Sequence, residues 1–185
     1  MLTTAQKITS DEDFQTFIEC YDRAFGTKFL KLEFLRNCDD VILFRDSEGT
    51  PVGGYTINTE QAYRTLSVIP DNFAAFYRKQ AEGVKTYELG TIWVDERRRN
   101  GREKLELWLH IFGNMISRDG TVMVGMTISD EIYRFYERYG VKLAYHGPMQ
   151  LEDGKLVQGW IVYLDDLATS KVPEMYEQLS KRFSR

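Results

Sequence analysis

Cysteine, histidine, long apolar runs and net positive charge are all scarce here, and each shortage removes a class of function. Two cysteines and two histidines stand among 185 residues. Cys20 and Cys38 form no CxxC pair, and His110 and His146 do not complete a zinc framework with them, so no metal is expected. Both thiols read as reduced and buried or half-buried. Nowhere do about 18 apolar residues run together, and the opening MLTTAQKITSDED has no basic segment followed by an apolar one. No membrane span is therefore expected, and the cytoplasm is the simplest compartment. Lys and Arg number 24 against 28 Asp and Glu, a net charge of −4. General attraction to nucleic acid is thereby excluded, although a local basic patch can still hold an anion. Repeats, low-complexity tracts and Pro/Gly/Ser linkers are missing too, which predicts one unit over 1–185.

What is present is an ordinary globular balance, 43% hydrophobic and 28% charged, enough for one sizeable core. Ser10 or Asp11 can cap a helix over 11–24 whose Phe14, Phe17, Ile18, Tyr21 and Phe25 recur at helical spacing. A short second helix is predicted over 29–36. DVILFRDSEGTPVGGYTINTE reads as a hairpin turning at Asp46, Glu48 and Gly49. Residues 59–83 carry Pro70 and then NFAAFYRKQ, an irregular stretch ending in a short helix. TYELGTIWVDE is a strand rich in β-branched and aromatic residues. From Glu103 to Ser117 the set Leu105, Leu109, Phe112 and Ile116 marks the apolar side of a helix, with Glu106, His110 and Asn114 on another face. TVMVGMT reads as a strand covered on both faces, Ser129 or Asp130 as the cap of a helix ended by Gly140, and 141–167 as a second hairpin turning at Asp153 and Gly154. Pro173 opens a C-terminal helix. The order implies a mixed α/β sheet with a parallel central pair joined by the 103–117 helix.

The loop between that central strand and helix is the richest local signal. A helix start presents unpaired N–H groups and the positive end of its dipole, which suit a phosphate. Arg97, Arg98, Arg99 and Arg102 surround this one, with Asn100 and Gly101 between them. The other reading is a solvated basic turn paired with Asp95, Glu96 and Glu103.

The strand, loop and helix are followed at a suitable distance by FYERYGV. Together, over roughly 86–148, they resemble the GNAT superfamily, with Phe135, Tyr136, Gly140 and Val141 in its second signature. The resemblance implies a mostly antiparallel α/β (α+β) sheet of six or seven strands flanked by helices, splayed between the parallel pair 86–94 and 121–127 with pantetheine in the gap. Its phosphate loop reads Q/R-x-x-G-x-G/A; aligning Arg98 and Gly101 leaves Glu103 where a small residue is expected. A carboxylate there repels phosphate and crowds the backbone. YELGTIWVD and YRTLSVIPDNF also look like the autoinducer synthase and N-acyl amino acid synthase branch, in Glu88, Leu89, Val94 and Asp95. That branch's strand arginine is Thr91 here, and no tryptophan precedes Trp93.

The resemblance implies acyl transfer from acetyl-CoA or a longer acyl-CoA, or from acyl-phosphopantetheine on acyl carrier protein, to an amine of a small molecule or protein. Such chemistry needs a base, N–H donors for the thioester oxygen and an acid for the thiolate. Glu88, six residues before Val94, is the candidate base, with an ion pair to a neighbouring strand as its other reading. Tyr136 is the candidate acid, a phenol being protonated at neutral pH; the alternative is a core aromatic. The N–H of Val94, or of Trp93 beside it, would polarise the carbonyl, with Arg97 to Arg102 on the phosphates. His110 is expected on a solvated stripe and His146 in a structural turn. Phe73, Phe76, Tyr77 and Arg78 could line an acceptor pocket or form a packed lid. A non-catalytic ligand-sensing or protein-binding module on the same fold is the alternative of another class.

Overall fold

The computed structural model describes residues 3–26, 30–59, 63–80, 82–98, 101–118, 122–151, 154–165 and 170–183, apart from the side chains of 76, 77, 79 and 80. Seven strands make one sheet: β1 (Thr3–Lys7), β2 (Asp40–Asp46), β3 (Pro51–Asn58), β4 (Thr86–Val94), β5 (Val122–Thr127), β6 (Lys142–Gln150) and β7 (Leu156–Leu164). Their order is β1-β2-β3-β4-β5-β7-β6, and only β4 and β5 run parallel. The helices are α1 (Asp11–Phe25), α2 (Leu32–Asn37), α3 (Asp71–Gln80), α4 (Arg102–Ile116), α5 (Asp130–Glu137) and α6 (Val172–Phe183).

Local chemistry accounts for most boundaries. Ser10 Oγ accepts from the Asp13 N–H at 3.1 Å and starts α1; Gly26, at φ 66, ends it with its N–H on Asp22 O. Ser129 caps α5 in the same way. The second helix begins later than its composition suggests, at Leu32. β1 was not expected at all: TTAQK has one apolar residue and no period-2 pattern, and it forms because the outer edge of β2 offers a ladder from Asp46 to Ile42.

Alternation sorts each strand's side chains to two faces. On one, α1 and α2 pack Phe17, Ile18 and Leu35 onto Val41, Leu43 and Trp93. The same face, farther along, is covered by the insertion, a 3-10 turn (Arg64–Val68) leading into α3, whose Leu66, Val68 and Ile69 lie on Val124, Tyr145 and Ile161. On the other face α4 and α6 pack Leu107, Ile111 and Leu179 on Tyr55, Ile57, Tyr87 and Met123. Gly54 permits the first packing, since a Cβ there would lie 2.6 Å from Phe17 and 2.8 Å from both Ile42 O and Trp93 Nε1.

The buried side of α4 differs from the expected stripe. Leu107, Trp108, Ile111, Phe112 and Met115 face the core, whereas Leu105, Leu109 and Ile116 are only partly buried. α4 is apolar over a wide arc because α6 also packs on it, Tyr176 approaching Gly113 and Phe183 lying 5.0 Å from the Arg102 guanidinium. The supposed solvated stripe is likewise corrected. Tyr55 Oη, fully buried, is 2.8 Å from His110 Nδ1 and accepts from Asn114 Nδ2 at 3.1 Å. Arg118 Nε donates to Asn114 Oδ1 at 2.8 Å, and its guanidinium pairs with Asp40, which Lys7 also reaches at 2.6 Å. Residues 110, 114 and 118 thus tie α4 to three strands through a satisfied polar row.

Burial holds the His110 pKa below its ordinary value, only partly opposed by Asp40. The unfolded chain therefore binds this proton more readily, so His110 contributes stability that is complete above about pH 6.5 and is lost as pH falls through the depressed folded value. In urea unfolding at several pH values, His110→Gln is expected to flatten the slope of stability between pH 5 and about 6.5 relative to the parent. An unchanged slope would remove His110 as its source.

Candidate active site

Parallel pairing of β4 with β5 is short. Thr86, Tyr87 and Glu88 match Val122, Met123 and Val124, and there it stops. β4 continues to Val94 beside β3, and β5 continues to Thr127 beside β7, so a cleft opens between them. A bulge drives the divergence: Gly54 pairs with Trp93 and Thr56 with Gly90, leaving Thr91 and Ile92 opposite the single residue Tyr55. Thr91 sits at φ 44, a conformation a β-branched residue adopts only under constraint, and its Oγ1 donates to Thr56 Oγ1 at 2.6 Å.

The bulge decides which backbone groups face the cleft. Asp95 N donates to Val52 O at 2.9 Å, so by antiparallel alternation the Val94 N–H turns away from β3, toward the opening. Trp93, one residue earlier, has its N–H in the β3 ladder. Its indole is 2% exposed beneath α1, edge-on to Phe17 at 5.8 Å, with Nε1 unpartnered.

On the α4 face the cleft forms an almost wholly apolar cavity of about 50 Å³, lined among others by Leu89, Gly125, Trp108, Phe112, Val162 and Tyr136. Rings hold Tyr136, Trp108 at 6.1 Å and Phe135 at 6.0 Å. No group among the described residues hydrogen-bonds its Oη, and burial raises the phenol pKa well above its ordinary value. A half-buried hydroxyl on an apolar cavity without a partner is a group waiting for one. On β7, Trp160, opposite Thr127, stacks on His146 at 4.7 Å and on Tyr133 at 5.6 Å. His146 lies within strand β6 rather than a turn.

Glu88 points to the opposite face, where the insertion covers it to 3% exposure. Its oxygens accept from Arg64 N at 3.1 Å, from Thr65 N at 2.6 Å and from Thr65 Oγ1. Burial raises its pKa, and the Thr65 and Arg64 hydrogen bonds pull the other way without reversing the shift. Its ties run to the insertion's backbone, not to a cation of a neighbouring strand. Thr56, Asn58 and Thr65, all buried, make this a polar patch between the two apolar clusters of that face. The Arg64 guanidinium closes it, 5.3 Å from the Phe34 ring centre. None of these partners stood out in the sequence; the available signal was polar side chains at alternate positions of YTIN, a strand buried on both faces. Cys38, at the patch edge, has its thiol pushed up to about 12, chiefly by burial, and Cys20 is shifted upward for the same reason. Phe73 is 41% exposed against Tyr145, and the side chains of Phe76 and Tyr77 lie outside the described residues.

The arginine loop is already paired. Arg97 meets Asp95 at 3.1 Å; Arg98 meets Glu103 at 2.8 Å and Asp46 at 3.5 Å; Arg102 meets Glu106 at 3.2 Å. Gly101 caps α4 without a side-chain bond. Arg99 and Asn100 lie outside the described residues. Among those residues no group of three metal-ligating side chains occurs, and no helix is long and apolar enough to cross a membrane.

No family model and no curated protein matches this sequence. Solved structures do. The fold is similar to FeeM, an N-acyl amino acid synthase from uncultured soil microbes, at TM-score 0.66 and 13% identity over 94% of this chain and 92% of that one. It is also similar to the ribosomal-protein-S18-alanine N-acetyltransferase of Escherichia coli, at 0.60 and 14% over 88% and 92%. A GNAT superfamily phosphinothricin acetyltransferase from Sinorhizobium meliloti, solved with AcCoA, matches at 0.57 and 12% over 90% and 89%. The mixed seven-stranded sheet with its splayed parallel pair is the GNAT fold.

Glu88→Ala would leave two N–H groups and a hydroxyl unpaired, a loss of about 3 kcal/mol. Limited trypsinolysis is expected to cut this variant within 63–80 faster than the parent, while cutting elsewhere is unchanged. Equal rates would mean that Glu88 does not hold the insertion.

Proposed function

On this fold, we propose an N-acyltransferase that moves an acyl group from a thioester, acyl-CoA or acetyl-CoA, to an amine of a small molecule or protein by direct attack. One observation carries the reading: an unpartnered phenol faces an apolar cleft beside a free strand N–H, with a buried carboxylate at the apex on the other face. The acyl-pantetheine arm lies in the cleft, its carbonyl on the Val94 N–H with Trp93 beside it. The loop from Arg97 to Arg102 borders the donor's outer end. No metal takes part. The chain acts as one unit over 1–185, in the cytoplasm, where Cys20 and Cys38 stay reduced.

The amine nitrogen attacks the thioester carbon, and charge gathers on the oxygen at the Val94 N–H. The C–S bond then breaks. The amine's proton passes to Glu88, directly or through water, and the departing sulfur takes a hydrogen bond and then a proton from Tyr136. The raised phenol pKa makes outright transfer to a thiolate of ordinary pKa near ~8.5 uphill, but the same apolar cavity makes the thiolate more basic. Base and acid thus work from opposite faces of the sheet.

A second reading keeps the chemistry and takes the acyl group from acyl carrier protein, making an N-acyl amino acid or acyl-homoserine lactone. The Arg98–Glu103 pair favours it, because it spends the charge that nucleotide phosphates would use.

Thiol release from acetyl-CoA, long-chain acyl-CoA and acyl carrier protein, with a panel of amines, is expected to show turnover with at least one donor; none with any, together with unchanged melting in CoA, supports the non-catalytic module instead. Tyr136→Phe is expected to cut kcat by ~100-fold with KM nearly constant, and Glu88→Gln to lose activity that higher pH does not restore.

A further inference from the structure

Glu103 does more than depart from a loop pattern. A Cβ built on Gly101 would collide with Glu103 Oε2, so the carboxylate folds back over the cap residue of α4 instead of pointing outward. Its side chain is only 12% exposed, and Arg98 Nη1 holds it at 2.8 Å. The other nitrogen of that guanidinium reaches Asp46, in the β2–β3 turn, at 3.5 Å. The helix start, where N–H groups and dipole favour an anion, already carries one that belongs to the chain. The nearest arginine is bridged between two carboxylates. Residues 95–106 contain five basic and four acidic side chains, and Asp46 offsets the remaining charge.

We propose that Glu103 is a specificity residue that stands in for the donor's phosphate at the start of α4, so that the chain selects its thioester by the acyl-pantetheine arm and draws no affinity from a nucleotide. This rests on the acyltransferase reading above and names the part of the donor that is recognised. A nucleotide diphosphate would have to displace a partly covered, ion-paired carboxylate or sit beside it, and like-charge repulsion opposes both. The arm meets no such barrier, because Leu89, Gly125, Val162 and Tyr136 receive it in the cleft. A pantetheine thioester can be free or borne by a carrier protein, and separate donors distinguish these sources.

Calorimetric titration with acyl-CoA, the matching free acyl-pantetheine, the same acyl group on acyl carrier protein, and adenosine 3′-phosphate 5′-diphosphate alone tests this. The parent is expected to bind acyl-CoA and acyl-pantetheine within about twofold of each other, far less than the ~10- to 100-fold that a charge-assisted phosphate contact supplies. Glu103→Ala is expected to tighten acyl-CoA and the bare nucleotide at least ~10-fold, with Arg98→Ala in the same background cancelling the gain. Glu103→Gln removes charge at constant size and carries the test if the alanine variant melts early. A parent preference of tenfold or more for acyl-CoA over acyl-pantetheine, or no gain in nucleotide binding on either substitution, overturns the proposal. Tighter binding on carrier protein than as free acyl-pantetheine assigns the carrier as source. If neither thioester binds the parent, the acyltransferase reading fails, while the bare nucleotide still decides whether Glu103 blocks the anion position.

Discussion

Three residue pairs of parallel ladder, Thr86 to Glu88 against Val122 to Val124, hold the two halves of this sheet together at its centre. Both strands continue past that point without each other. β4 is kept on β3 by a bulge that forces Thr91 to positive φ, and β5 is kept on β7 by three pairings beyond Val124. The Val94 N–H is thereby turned toward the opening. The cost is local, a strained threonine and a shortened ladder, and antiparallel pairing on either side bears it.

Each face of the sheet answers the opening differently. Toward α4 and α5 the walls are hydrocarbon and aromatic, with one phenol that has no hydrogen-bond partner among the described residues. Toward the insertion a hydrogen-bonded polar patch lies between two apolar clusters. Glu88 holds Arg64 and Thr65, and Thr56 receives Thr91, so the strained bulge and the insertion lean on the same buried carboxylate-threonine patch. A buried carboxylate that anchors a covering segment ties the seating of that segment to a single residue.

The sequence revealed much of this where local chemistry decides structure. Ser10 starts α1, Asp46, Glu48 and Gly49 announce the turn of their hairpin, and the apolar run at 121–127 marks a strand covered on both sides. It was silent where the partner is remote. β1 has no pattern of its own and exists because β2 has an edge. His110, Asn114 and Arg118 are polar at successive helical turns, and that spacing is the same whether the row meets water or a buried tyrosine. Glu88 could be seen as a carboxylate in an apolar strand, but its partners are main-chain N–H groups of the insertion, which no side-chain pattern reveals. The pairing of the arginine loop was legible in part, since acids lie within five residues of each base; the folding of Glu103 over Gly101 was not.

The cleft between β4 and β5 is the proposed seat of an acyl-pantetheine arm. A non-reactive thioether analogue of acyl-pantetheine, added to ¹⁵N-labelled protein, tests it through amide shifts and exchange rates. The account predicts that the largest changes fall on Leu89, Val94 and Gly125 and that the Val94 amide exchanges more slowly when the analogue is bound. Changes centred instead on the separate groove lined by Lys7, Asp11, Arg36 and Asp39, with Val94 unmoved, would contradict it.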